Sequence, residues 1–148
     1  MTIRHILITT DLSPEALRPY APVADIARSL GCRITLLHVV PDLRVIPHGA
    51  PTAPLLDDPA LPGKIESARA ALAEQRDEFG DLPVEPVVIS GSDIALSIAE
   101  YAEQNDVDLI AISTHGRTGF RRFVLGSVAE SLLRHAAVPV LVFPRAGD

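Results

Sequence analysis

Apolar residues along this chain gather in short continuous runs, separated by stretches in which they recur every three or four positions. The runs are Ile3 to Thr9, Arg33 to Val40, Val84 to Ile89, Val107 to Ile112 and Val138 to Phe143. They are rich in Ile, Leu and Val and do not alternate with polar residues, the pattern of strands covered on both faces. The intervening stretches read as helices. Ser13-Pro14 opens the first, with Ser as N-cap and Pro at the first helical position. Tyr20, Val23, Ala24, Ala27 and Leu30 share one face of it, and Gly31 ends it. Pro19 and Pro22 fall inside that segment and each removes a backbone donor, which predicts a kink or a broken first turn. Lys64 to Phe79 is the second helix, closed by Gly80. Ser92 caps a third that reaches about Asn105, and Ser127 to His135 is the last. Residues 41–63 hold six prolines and two glycines. They form a long loop, of the kind that serves as a lid, a binding loop or a mobile segment.

Strand and helix alternate throughout, which predicts an α/β fold: an open five-stranded parallel sheet with helices on both faces. Proline orders the strands. Pro86 and Pro139 cannot donate to a ladder, so the third and fifth strands belong at the edges and the clean first and fourth strands inside. The order 3-2-1-4-5 satisfies this with right-handed crossovers. At 148 residues the chain fits one domain, 1–148. In that order the chain reverses between strands one and four. Ligands of open α/β sheets bind at such a reversal, beyond the carboxyl ends of the strands. The loops that meet there are Thr9-Thr10-Asp11 and Ser113 to Gly116.

The second of these loops carries candidate chemistry. Ser113-Thr114-His115-Gly116 is followed by nine residues and then Gly126-Ser127, which starts the last helix. The first N–H groups of a helix are unpaired and carry the positive end of its dipole, so a strand, a glycine-marked loop and a helix start together make a phosphate cradle. Gly116 and Gly126 let the backbone approach an anion closely, and Ser127 adds a hydroxyl. Taken singly, the glycines also suit tight turns and Ser127 suits an N-cap. Asp11 could accept hydrogen bonds from a ribose or an adenine amine, or act as a turn residue. Val39, at the end of the second strand, could offer backbone groups to a base edge. His115 could touch a phosphate or make a structural hydrogen bond. Arg117, with Arg121 and Arg122, could steer phosphates or form a solvated basic face.

Charge sharpens this picture. The formal net charge is −6, which argues against a nucleic-acid partner. From Arg117 onward, however, five arginines stand against two acids, so basic charge gathers where a phosphate is expected. The histidines show no metal-ligand spacing, so no metal site is assigned, and a divalent cation would arrive held through the phosphates of a nucleotide. No GxxxxGK[ST] or GxGxxG motif is present, which excludes a P-loop NTPase and argues against a Rossmann dehydrogenase. No GxSxG elbow or Cys/His pair suggests a covalent nucleophile, and no catalytic residue is assigned. Cys32 is the only cysteine, so no intramolecular disulfide forms, consistent with a cytoplasmic location. The first residues do not read as a signal peptide, and no run is long enough for a membrane span.

Over nearly its whole length the chain resembles the universal stress protein family. The resemblance rests on ILITTDLS at residues 6–13, LLHVV at 36–40, and STHGRTGFRRFVLGSVAESLLRHAAVPVLVFP at 113–144. The nucleotide-binding, ATP-type branch of that family carries G-x2-G-x9-G-[ST]. Gly116, Gly126 and Ser127 match it, and Ser113 stands where the first glycine would be. The resemblance implies a Rossmann-like fold of the adenine nucleotide alpha hydrolase type and an ATP-binding stress-response module, commonly a homodimer. By position, Thr10, Asp11 and the backbone of Val39 would hold adenine or ribose. Ile112 and Ser113 would line the ribose, and Gly116, Gly126, Ser127 and Val128 would hold phosphates. ATP, with Mg or Mn held through its phosphates, is the expected ligand. Independently of the resemblance, Val138 to Phe143 is an apolar edge strand that invites pairing with a second copy. Two alternatives stand beside this reading: a slow ATP hydrolase or adenylyl-transfer enzyme on the same fold, and a dimerisation module that binds no nucleotide.

Overall fold

The apolar runs form a five-stranded parallel sheet in the order β3-β2-β1-β4-β5, as proline placement predicts. The strands are β1 (His5–Thr9), β2 (Arg33–Pro41), β3 (Val84–Gly91), β4 (Leu109–Ser113) and β5 (Val140–Phe143). The helices are α1 (Tyr20–Leu30), α2 (Leu61–Arg76), α3 (Ile94–Gln104) and α4 (Ser127–His135). This is a computed structural model, and it describes residues 1–44, 56–114 and 125–144.

Alternating side chains of the central strands fill two cores. Ile6, Ile8 and Leu36 pack with Tyr20, Val23, Leu72 and Phe79 beneath α1 and α2. Leu7, Leu37 and Ile110 pack with Ile98, Ala102 and Leu132 beneath α3 and α4. β1 sits between β2 and β4, with Ile8 opposite both Leu36 and Ala111, so His5 to Thr9 are buried throughout. Each fully buried Leu or Ile contributes about 1.5–3 kcal/mol, which makes β1 the axis of the fold. Pro86 lies in β3 at one edge, where its missing donor leaves no gap in the ladder.

Several boundaries differ from those read in the sequence, for local reasons. The first helical segment is broken: a short 3-10 turn, Pro14–Leu17, gives way at Pro19 to α1, and Pro22 sits in the first turn of α1, where no donor is needed. Ser13 makes no side-chain cap. Its N–H and hydroxyl donate to Asp11 Oδ1 instead, at 3.0 and 2.6 Å. α2 starts at Leu61 rather than Lys64, because Pro62 is tolerated at a helix start. Asp93, not Ser92, caps α3, its Oδ1 accepting from Leu96 N–H at 3.0 Å. β4 begins at Leu109 rather than Val107, because Val107 N–H still donates to Ala102 across a turn in which Asp106 has φ 52. β5 begins at Val140, after Pro139, whose carbonyl accepts from Ile110 N–H at 3.0 Å. Gly31 ends α1 in the left-handed conformation, φ 65, as expected.

The amino ends of the strands are tied by a buried polar cluster. Nε2 of His5 lies 2.9 Å from the Thr35 hydroxyl and Nδ1 lies 3.1 Å from the Asn105 carbonyl. A carbonyl only accepts, so Nδ1 carries the proton and Nε2 accepts from Thr35. Asp108 Oδ2 accepts from the N–H groups of Arg4 and His5, at 2.7 and 3.0 Å.

Candidate functional site

A cleft of about 350 Å³ opens at the carboxyl ends of β1, β2 and β4, where the chain reverses direction. β1 and the loop after it contribute Thr9, Thr10 and Asp11. β2 contributes Leu37, His38, Val39 and Pro41. Ile112 and Ser113 come from the end of β4. Ile94 and Ile98 of α3 and Val128 of α4 close the apolar side. The cleft is thus largely apolar, with a few polar groups concentrated on the β1 and β2 side, the usual make-up of a small-molecule site.

Thr10, Asp11, Val39, Ile112, Ser113 and Val128 all line this one cleft, although up to 118 positions separate them in the sequence. Gly126 and Ser127 stand immediately before Val128 at the start of α4 and do not line the cleft themselves. His115, Gly116 and Arg117 lie outside the described residues.

The backbone of Val39 faces the cleft for a reason visible in the register. The carbonyl of Leu37 points toward β1 and accepts from Thr10 N–H at 3.0 Å. In a strand, residues two apart present their N–H and C=O groups to the same side. β1 pairs with β2 only as far as Thr9 opposite Leu37, whereas β2 runs on beside β3 to Pro41. Val39 therefore offers one donor and one acceptor past the point at which β1 ends.

At the other end of the cleft, α4 presents its first turn. Gly126 is its N-cap, with extended φ −61 and ψ 152, and its carbonyl accepts the first helical bond, from Glu130 N–H at 2.9 Å. The N–H groups of Ser127, Val128 and Ala129 accordingly have no partner within the helix. Ser113, the last residue of β4, lies between these two polar ends of the cleft and is buried.

Thr10 lines the cleft and also braces the loop after β1. Its N–H donates to Leu37, its carbonyl accepts from His38 Nδ1 at 2.8 Å, and its hydroxyl donates to Gln75 Oε1 at 2.8 Å while accepting from Leu12 N–H at 3.0 Å. All its polar groups are engaged within the protein, so Thr10, which lines the cleft, also holds the loop in place. The loop it holds is tight: Leu12 has φ 68, an uncommon value for a residue with a side chain. Tyr20 donates to the same Gln75 oxygen at 2.6 Å and stacks on Phe79. Burial pushes its phenol up to about 12, so it stays a donor.

Three residues near the cleft escape a sequence reading. His38 is one of five histidines in the sequence, and its place beside Val39 at the end of an apolar strand is the signal that could have found it. Gln75 reaches Thr10 across 65 positions, and nothing local marks it. Arg18 donates to the Thr114 carbonyl at 3.3 Å across 96 positions, placing a cation where the loop after β4 begins. Among the described residues, no cluster of three His, Cys, Asp or Glu side chains could hold a metal ion.

The sequence profile of the Universal stress protein family matches residues 2–144. The chain belongs to the universal stress protein family. It is 32% identical to Universal stress protein A homolog 1 of Coxiella burnetii, over 95% of this chain and 96% of that protein. It is 26% identical to Universal stress protein C of Salmonella typhimurium, over the full length of both. The fold matches that of a universal stress protein from Lactobacillus plantarum with a TM-score of 0.75, at 22% identity over 97% of this chain and 99% of the other. It also matches a universal stress protein solved in complex with cAMP, with a TM-score of 0.69 at 18% identity, over 99% of this chain and all of the other. A third match is the Archaeoglobus fulgidus universal stress protein in complex with dAMP, with a TM-score of 0.61 at 24% identity, over 96% of this chain and 98% of the other. Among the described residues, no helix is long and apolar enough to cross a membrane.

Proposed function

We propose that this universal stress protein is a nucleotide-dependent regulatory module that binds ATP in the cleft at the chain reversal. The observation that carries this reading is the placement of Val39. Its unpaired donor and acceptor, beside an apolar slot, suit the edge of a purine, which offers an acceptor ring nitrogen next to a donor amine. Asp11 then faces the ribose or the base, Ile112 and Ser113 line the ribose, and the first turn of α4 from Gly126 to Val128 takes the phosphates. The loop containing His115, Gly116 and Arg117 would complete the phosphate side. A divalent cation such as Mg or Mn would be held through the phosphates. Two proteins of this fold solved with adenine nucleotides support the ligand class.

The same reading takes residues 1–148 as one cytoplasmic domain that pairs with a second copy through β5, with neither a nucleic-acid nor a membrane partner. No residue is assigned a catalytic role. The test is direct: denature the purified protein, separate any released adenine nucleotide by chromatography, and titrate the emptied protein with ATP by calorimetry. Bound or titratable adenine nucleotide is the expected result. No released nucleotide and no heat at millimolar ATP would overturn the reading.

A further inference from the structure

The loop that carries Asp11 is braced in part by a side chain of α2. Leu12 N–H donates to the Thr10 hydroxyl, so that hydroxyl must send its own proton elsewhere. Gln75 Oε1 receives it at 2.8 Å. The same oxygen accepts from Tyr20 at 2.6 Å. The order of dependence runs from α2 through Gln75 to Thr10, and from Thr10 to the N–H of Leu12, whose φ of 68 forms the turn. Asp11 lies between Thr10 and Leu12, so its backbone direction is set by both. His38 holds the Thr10 carbonyl from β2, while the proton of the hydroxyl goes to Gln75.

We propose that Gln75 is a positioning residue for ligand binding: by accepting from Thr10 it fixes the loop that aims Asp11 into the cleft. The proposal rests on the nucleotide reading of the cleft. Removing the acceptor frees the Thr10 hydroxyl to rotate. It then competes with Leu12 N–H for a partner, and the strained turn loses its latch. A buried hydroxyl left without an acceptor also carries a desolvation cost, which the loop relieves by moving.

The test separates positioning from mere packing. ATP binding is measured by calorimetry, and melting temperature alongside it, for the wild type, Gln75→Leu, Gln75→Glu and Tyr20→Phe. Gln75→Leu is expected to weaken ATP binding about tenfold, the effect of losing one well-placed hydrogen bond. Gln75→Glu keeps an acceptor at the same place and is expected to restore binding to within about threefold of the wild type. Tyr20→Phe removes the other donor to the same oxygen, and with it the phenol's own contact with Thr10, but leaves the Thr10–Gln75 bond. It is expected to lower the melting temperature with little change in affinity. Combined with Thr10→Val, Gln75→Leu adds little further loss of affinity, because both changes cut one route. The positioning role is overturned if Gln75→Leu binds ATP like the wild type, if Gln75→Glu fails to restore binding, or if Tyr20→Phe weakens binding as much as Gln75→Leu. A wild type that binds no nucleotide instead overturns the reading of the cleft and this proposal with it.

Discussion

Two residues at opposite ends of β1's neighbourhood show how a single side chain, or its absence, sets measurable behaviour. His5 is buried and fully hydrogen-bonded as the neutral imidazole. Burial first, and the Arg33 guanidinium second, hold its pKa below the ordinary 6.5. The unfolded chain therefore takes up a proton more readily than the folded one. The stabilisation is complete above 6.5 and is lost as pH falls below it toward the lowered folded value. Urea midpoints are expected to be lower at about pH 5.5 than at about pH 7.5, with the difference flattened in His5→Gln. Asp108, held below its ordinary 3.8 by the N–H groups of Arg4 and His5, adds its own loss only in a lower pH range, so the two windows separate. An equal slope in wild type and His5→Gln would remove His5 as the cause. Gly126 is the converse case. Its φ of −61 and ψ of 152 suit any residue, so the backbone does not require glycine there. Gly126→Val is expected to cost about 1 kcal/mol as a poorer N-cap and yet to abolish ATP binding, by placing a side chain beside the free N–H groups of the first turn of α4 proposed to take the phosphates. An unfolded variant, or a folded one that binds normally, would show that Gly126 has no such role.

At the scale of elements, the join between β3 and α3 leaves no room for a side chain at Gly91. A Cβ on Gly91 would lie 2.0 Å from Ser97 Oγ and 3.2 Å from Ser97 Cβ. Ser97 Oγ in turn donates to the Asp93 carbonyl at 2.7 Å, in the first turn of α3. Gly91→Ala is expected to destabilise the fold by about 1–2 kcal/mol, because the serine must give up that bond. Adding Ser97→Ala should recover much of the loss, and chemical denaturation of the four proteins of the cycle measures it. Strict additivity would mean that the two residues do not meet. None of this is written in the local sequence, and the pattern is general here. The strands were legible because β1, β2 and β4 are continuous apolar runs. Their order was legible because Pro86 suits only an edge strand and Pro139 stands just before the other edge strand. The start of α4 at Ser127 was legible, but that of α3 was not, because Ser92 and Asp93 are both good caps. The cleft residues on β1, β2 and β4 could be found from the motif and the chain reversal together. Gln75 and Arg18 could not, because their partners are distant in sequence and neither residue type is unusual on a helix surface.

For the molecule as a whole, the open question is what covers β5. Val140, Leu141, Val142 and Phe143 are each only half-buried, although the strand is apolar throughout. The pairing with β4 uses alternate residues: the carbonyls of Pro139 and Phe143 accept from Ile110 and Thr114. The backbone groups of Val140 and Val142 consequently point away from the sheet, along an edge open to a second strand. A two-fold copy placed there continues the sheet and covers the β5 edge of both copies at once. Val142→Pro removes an outward donor while leaving the β4 ladder intact, since that ladder draws nothing from the Val142 N–H. The wild type is expected to sediment as a dimer and Val142→Pro as a folded monomer, with a circular dichroism spectrum close to the wild type's. The cleft lies at the carboxyl ends of β1, β2 and β4, away from the outer edge of β5, so ATP should still bind the monomer. A monomeric wild type would dispose of the β5 dimer. A Val142→Pro variant that remains dimeric would move the contact to another surface, and one that loses ATP binding with its fold intact would make the site depend on the partner.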